Sequence, residues 1–406
     1  MARRSRWRRR LGFLLIGVLL ALVVCFRITT PPRVLGPLVQ QLREDSALVL
    51  LHTPGGARQL RLEYRYAGAG SPAGSAWHRV LDPRPVKRHL FRLTPLDADR
   101  DWDYRILDRD RQVLAEGRFH SAPEAGTGSA RFVAFGDSGA LPWWRFLSDA
   151  APFEPRAWLR DLLPGRGRQW QLAARVVPEE PALIVHLGDL VYPWGRREHY
   201  PEAFFLPLAE LLRSVAFYPT AGNHDLITEG GAPYLEMFEM PGKQGPGRGF
   251  YYDFVYGPVR FYCVDSFKNS IEPGSPQHQW LVQRLGAAKE RWRVLFTHRP
   301  FLSVSRSEKH QASRRLKESL HPLLAKHRVQ LVLSGHDHVY QRFKSLDGVT
   351  YVVAGGGGKS LYDLRPRPDL ARSARRYGFV VVDADERRMQ MRTIAIDGTE
   401  LDRFEF

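Results

Sequence analysis

Five short polar blocks, each standing at the end of an apolar run, constrain this 406-residue chain more than any other feature. Gly136-Asp137-Ser138-Gly139 follows Phe132–Phe135, Gly188-Asp189-Leu190-Val191-Tyr192 follows Ala182–Leu187, and Gly222-Asn223-His224-Asp225 follows Val215–Thr220. Thr297-His298 closes the run from Val294, and Gly335-His336-Asp337-His338 follows the run from Val329. A single Gly-Asp is most often a turn with an aspartate cap. Five blocks in order, each after a strand, instead bring carboxylate, carboxamide and imidazole groups to strand ends that converge on one crevice. The glycines permit the sharp turns that aim the neighbouring side chains.

The runs between the blocks set the fold class. From residue 131, apolar strands alternate with helical stretches at Pro201–Arg213, Gln277–Lys289 and Gln311–His327, which predicts an α/β domain with sheets covered by helices over 131–406. Residues 33–122 read differently. Short strands are expected at Ala47–His52, Gln59–Tyr66, Ala76–Leu81, Val86–Leu93, Trp102–Leu107 and Val113–His120, divided by turns and without a helical period. Leu60-Arg61-Leu62-Glu63-Tyr64-Arg65-Tyr66 alternates apolar and charged residues as a half-buried strand does. A small all-β sandwich of fibronectin type III or immunoglobulin style is expected there, with a linker at 123–130.

The order GDSG, GDLVY, GNHD, a strand-terminal His and GHDH resembles the purple acid phosphatases within the calcineurin-like metallophosphoesterases. The motifs span roughly 130–340, and a preceding sandwich resembles the plant-type members. Most metallophosphoesterases carry Asp-x-His in the first block; this chain has Asp137-Ser138-Gly139 instead, and Tyr192 stands where the purple enzymes place a tyrosinate ligand. The resemblance implies one metal held by Asp137, Asp189, Tyr192 and His338, and a second by Asp189, Asn223, His298 and His336. Phenolate and carboxylate suit trivalent iron, while imidazole and carboxamide suit Fe2+, Zn2+ or Mn2+. It also implies hydrolysis of phosphate monoesters by a metal-bound hydroxide, with His224 donating a proton to the leaving oxygen and His310 as an additional substrate histidine. Two other readings stay open: a phosphodiesterase or nucleotide hydrolase on the same metals, and an extracellular binding protein with a vestigial site.

The N-terminus carries a separate signal. Six arginines precede an uncharged, apolar run from Leu11 to Phe26, so residues 1–32 read as a signal-anchor, with a cleaved signal as the alternative. The positive-inside rule then places residues 33 onward outside the cytoplasm, periplasmic or extracellular. The formal net charge is +17, of which roughly +11 remains beyond those arginines; no nucleic-acid-binding motif accompanies it, and nucleic acid is not an expected partner. Two cysteines, Cys25 and Cys263, exclude a disulfide framework. Gly355-Gly356-Gly357-Gly358-Lys359-Ser360 has the wrong spacing for a P-loop and is expected as a turn passing close to the metals. The Trp- and Arg-rich stretch Trp143–Arg175 reads as an insertion between the first two blocks.

Overall fold

A computed structural model of the chain describes residues 34–56, 58–67, 76–140 and 168–406. The expected membrane segment and most of the Trp143–Arg175 stretch lie outside the described residues. No described helix is long and apolar enough to cross a membrane.

Two antiparallel sheets form the N-terminal part. Strands β1 (Leu35–Gln40), β2 (Ala47–His52) and β5 (Arg88–Leu93) pair in the order β1-β2-β5. Strands β3 (Arg58–Tyr66), β4 (His78–Val86), β6 (Asp101–Leu107) and β7 (Val113–His120) pair in the order β4-β3-β6-β7. Leu60, Leu62 and Tyr64 alternate into a core with Val49, Leu51 and Phe91, as the period-two pattern requires. The expected strand at Ala76–Leu81 runs on to Val86, through Pro83 and Pro85. Those prolines are accommodated because β4 is an edge strand with one side free of ladder partners.

The remaining body is built on two larger sheets. In one, β8 (Ser129–Phe135), β9 (Leu183–His186) and β10 (Ala216–Pro219) run parallel. Antiparallel β18 (Gly378–Asp385), β19 (Met389–Ala395) and β20 (Glu400–Glu405) complete it beyond β8. The other sheet has the order β11 (Tyr252–Tyr256), β12 (Val259–Cys263), β13 (Trp292–Thr297), β14 (Leu331–Ser334), β16 (Thr350–Ala354), β15 (Tyr340–Phe343), β17 (Leu370–Ala374). Its central strands β12, β13, β14 and β16 are parallel. Because both faces of β13 are covered, its residues divide: Val294 and Phe296 join the core between the sheets, while Leu295 joins a second cluster outside.

Among the helices, α1 (Arg168–Val176), α2 (Leu206–Leu212) and α3 (Ala232–Met237) precede β11 in the chain. The second cluster lies beneath α4 (Pro276–Gly286) and α5 (Gln311–Lys326). Helix α4 starts at Ser275, whose hydroxyl accepts the His278 N–H at 3.4 Å, with Pro276 in the first turn. Helix α5 buries Leu316, Leu320 and Leu324, one every four residues, against Leu295 and Val332. Truncating Leu320 to Ala would cost about 2–5 kcal/mol through lost burial and the cavity left behind. The expected helix at Pro201–Arg213 is regular only from Leu206; Pro201–Phe205 forms a wider π turn.

Candidate metal centre

All five polar blocks leave the C-terminal ends of parallel strands. The first three extend β8, β9 and β10 of one sheet, and the last two extend β13 and β14 of the other, so the blocks meet where the sheets face each other. Three of the expected ligands, Asp137, Asp189 and His336, sit at positive φ (61°, 54° and 69°). Such backbone costs roughly 1–3 kcal/mol per residue and persists only where neighbours hold it. They do so here. The Asp137 N–H donates to Gly188 O at 2.9 Å, and the His336 N–H donates to the Asp137 carboxylate at 2.9 Å. Gly222 explains the glycine of the third block, because a Cβ there would lie 2.1 Å from Asp189 Oδ1.

The side chains converge. Tyr192 Oη lies 3.0 Å from Asp137 Oδ1, 2.9 Å from Asp189 Oδ2 and 3.1 Å from His338 Nε2. His298 Nε2 lies 3.4 Å from Asp189 Oδ2 and 3.2 Å from His336 Nδ1. Asp137, Asp189 and His298 present ligand atoms all within 4.8 Å of one another. Asp189 thus touches both halves of the cluster, as a bridging carboxylate would. Two imidazoles have fixed tautomers: His298 Nδ1 donates to Leu187 O at 2.6 Å, and His338 Nδ1 to Ser360 O at 2.8 Å. Each therefore turns Nε2 inward, the nitrogen that a metal ion would take in place of a proton. Asn223 Oδ1 is buried and has no hydrogen-bond partner among the described residues, an acceptor left for a cation.

Electrostatics agree with the donor set. Burial opposes a charge on His298, but the Asp189 and Asp137 carboxylates outweigh it and raise the ring to about 9. Burial would raise the Asp189 carboxyl, yet His298 overrides this and holds it well below the usual carboxylate range. Burial and then the two carboxylates push the Tyr192 phenol well above 10. Burial and the neighbouring His298 lower His336 to about 2. Two buried carboxylates are thus served by one imidazolium, a cluster short of positive charge whose phenol would ionise only beside an added cation. Carboxylates, imidazoles, a phenol and a carboxamide at these separations fit a pair of metal ions.

Of the two expected catalytic histidines, His224 lies at the cluster: its N–H donates to Asp189 Oδ1 at 2.9 Å and its Nε2 stands 4.0 Å from Asp189 Oδ2. His310 stands further out, its ring 6.3 Å from that of His336. Sequence reasoning passed over several supporting residues. Asp225 accepts the N–H groups of Leu190, Val191 and Gly222, holding the second and third blocks together. Asp337 is anchored by Ser303 and Ser307. Tyr362 stacks on His338 with centroids 4.1 Å apart. The two aspartates were visible as the acids inside GNHD and GHDH; Tyr362 belongs to no motif. The glycine-rich turn passes as close as expected, for a Cβ on Gly355 would lie 2.8 Å from Asp137 Oδ2.

Comparison with known proteins gives the same family. Residues 130–340 match the family model for calcineurin-like phosphoesterases. The chain is 34% identical over 315 residues to "Probable purple acid phosphatase 20" of Arabidopsis thaliana, covering 72% of this chain and 66% of that protein. It is 28% identical over 205 residues to "Probable inactive purple acid phosphatase 9" of the same plant, covering 42% of this chain and only 31% of the relative. Among solved structures, a purple acid phosphatase from yellow lupin seeds superposes with a TM-score of 0.74 at 20% identity, over 93% of this chain and 75% of that one, a likeness of fold. The chain belongs to the calcineurin-like phosphoesterase family, as a purple acid phosphatase-like member.

Proposed function

We propose that the chain hydrolyses phosphate monoesters at a two-metal centre. The observation that carries this reading is the convergence of Asp137, Asp189, Tyr192, His298 and His338 within 2.9–3.4 Å links, with the Nε2 atoms of both imidazoles turned inward. Asp137, Asp189, Tyr192 and His338 would hold an Fe3+ ion, and Asp189, Asn223, His298 and His336 an Fe2+, Zn2+ or Mn2+ ion. Bound there, the metals would supply Lewis acidity toward the phosphate oxygens and a water acidified to a usable nucleophile.

The protein's own part is positioning and proton transfer. His224 Nδ1 donates to Pro193 O at 2.6 Å, so Nε2 carries a proton only in the imidazolium form. As that cation it would hydrogen-bond the phosphate and protonate the leaving oxygen. Asp225 would keep Asp189 aimed by holding the Gly222 and Leu190 backbone in place.

The test is hydrolysis of p-nitrophenyl phosphate and bis-p-nitrophenyl phosphate across pH by residues 33–406. Monoester turnover with an acid optimum is expected. Diester preference would move the function to the phosphodiesterase alternative. Failure to turn over either ester in protein carrying both metals would point to a narrow natural substrate, whereas failure in protein that holds fewer than two metals would point to the binding-protein reading that the word "inactive" in one relative's name keeps open.

The N-terminal sheets are read as a fibronectin type III-like sandwich, and residues 1–32 as an anchor that holds the catalytic body outside the cytoplasm. The mass of the native protein tests the anchor: loss of the first 32 residues would mean secretion instead.

A further inference from the structure

The two ends of the N-terminal sandwich differ in charge. The chain enters at β1, whose first residue, Leu35, pairs with His52 at the end of β2. His52 also pairs with Arg88, Arg58 with Val86, and Leu107 with Val113. Five residues join His52 to Arg58 and one joins Val86 to Arg88, so both sheets turn at this entry end. Residues 53–58, 82–88 and 108–112 there carry six cations and three acids. The opposite end reverses the balance: 41–46, 94–101 and 121–128 carry two cations and six acids, and 67–77 carry no charge.

Local pairing leaves most of the entry-end charge in place. Lys87, Arg109 and Arg111 are exposed. Arg84 approaches Asp82 at 3.5 Å with its side chain still 78% exposed. Arg88 is the exception, held by Glu239 of the body, an acid that also takes Lys243. The neighbouring Glu236 is taken by Arg197. Asp108 spends one oxygen on the N–H groups of Asp110 and Gln112, which closes the β6–β7 turn.

Hydrocarbon lies beside the cations. Leu81 on β4 faces Arg61 on β3, Arg61 faces Leu107 on β6, and Leu107 faces Val113 on β7. Leu81 is 68% and Val113 51% exposed. Cations next to exposed aliphatic side chains suit a surface that rests on anionic lipid, where both terms add.

The length of chain preceding β1 argues for the same partner. Seven residues separate Phe26, the end of the apolar run, from Val34. Whatever their path, they reach no more than about 30 Å. A body anchored by residues 1–32 therefore keeps its cationic end within that distance of the bilayer. Tethering makes docking intramolecular, so a few cations suffice.

We propose that the entry end of the sandwich docks on anionic phospholipid headgroups through Arg58, Lys87 and Arg109, with Leu81 and Val113 resting at headgroup level. The proposal rests on the anchor reading of residues 1–32 and adds the surface that faces the bilayer. The anchor limits how far the body strays; the docked end sets which way it faces.

The experiment reconstitutes the full chain in vesicles of phosphatidylcholine, alone or mixed with phosphatidylglycerol, and treats it with a water-soluble acylating reagent. Lys87 should react at least about threefold more slowly on the anionic vesicles, where each cation is drawn to the surface. Lys289, exposed beyond helix α4 of the body, should react alike on both. Raising the salt should restore Lys87, because it screens exposed charges. Arg58→Gln/Arg109→Gln should restore it as well. Arg43→Gln/Arg100→Gln, charge-matched and exposed at the opposite end, should leave Lys87 slow.

Equal reactivity of Lys87 on both lipids, in chain that stays inserted, would overturn the docking surface and leave the anchor. If Lys87 were slow on both, and in high salt, a contact between copies of the chain would take the place of lipid. The anchor is read separately: extraction of the chain by alkaline carbonate would sink it, while Lys87 slowed only on anionic vesicles would still support the docking surface.

Discussion

Glu63 in the N-terminal sandwich and Asp189 in the body are both buried carboxylates, yet they are compensated in opposite ways. Glu63 lies directly across from Arg79 on β4 and Arg105 on β6, with Arg61 two residues back on the same face. Arg105 holds it through two bonds of 2.9 and 2.7 Å, and Arg79 and Arg61 approach to 3.4 and 3.5 Å. Those cations keep their charge at any physiological pH. Asp189 is partnered among the described contacts by His298, the Tyr192 hydroxyl and the His224 N–H, groups that are neutral or can become so. A carboxylate ringed by arginines is a finished structural element. One ringed by imidazole and phenol is finished only by a cation from outside.

Replacing each acid by its amide breaks or sharpens that contrast. Asp189→Asn should lower monoester turnover by at least about 10³-fold, because the bridging ligand and the charge at the reacting phosphorus go together. Elemental analysis should find fewer than two metals per chain, while the metal-free protein should be no less stable. An equal loss of stability in Asp189→Asn and Glu63→Gln would show that both clusters serve folding and would end the comparison.

His224→Ala comes next, with kcat down about 10²–10⁴-fold, the range for a positioned proton donor, and both metals retained. Loss of both metals would make His224 a support for the ligands and not a proton donor.

Glu63→Gln should leave kcat/KM within twofold and cost about 1–3 kcal/mol in urea denaturation, since charge-assisted bonds are lost from a buried site. The pH dependence carries the sign. Burial would raise the Glu63 carboxyl, but Arg105, then Arg61 and Arg79, hold it below its ordinary 4.5. A depressed carboxyl stabilises the fold above its unfolded value and loses that contribution as pH falls through the folded one. The gap between wild type and Glu63→Gln should therefore be widest near neutrality and close as the pH drops below 4.5. A gap that stayed constant into acid would assign the cost to packing.

Much of this contrast was legible before the structure. Asp189 stood in a block at a strand end, and glycine before it announced a turn. Strand alternation placed Leu60, Leu62 and Tyr64 inward. It also placed Glu63 outward, where an acid is normally solvated; only the cross-strand register adds Arg79 and Arg105 to Arg61 around it. Strands β15, β19 and β20 escaped notice because arginines interrupt them, and in β15 Arg342 is buried by a two-bond pairing with Asp402, sixty residues away.

The smallest expected effect tests the seam between the two regions. Tyr104 Oη on β6 donates to Arg213 O, the carbonyl just beyond helix α2, at 2.7 Å. Gly117 makes that approach possible, since a Cβ there would meet both Arg213 O and Tyr104 Oη at 2.5 Å. Tyr104→Phe keeps the ring in the sandwich core and removes one hydrogen bond from a buried acceptor, so it should cost about 1 kcal/mol. Arg213 lies at the far end of α2 from the metal-bearing loops, and its carbonyl orients no ligand; monoester kcat/KM and metal content should therefore stay at wild-type values. A change in kcat/KM beyond twofold would show that the sandwich sets the geometry of the site across this seam, and the two regions would then have to be treated as one functional unit.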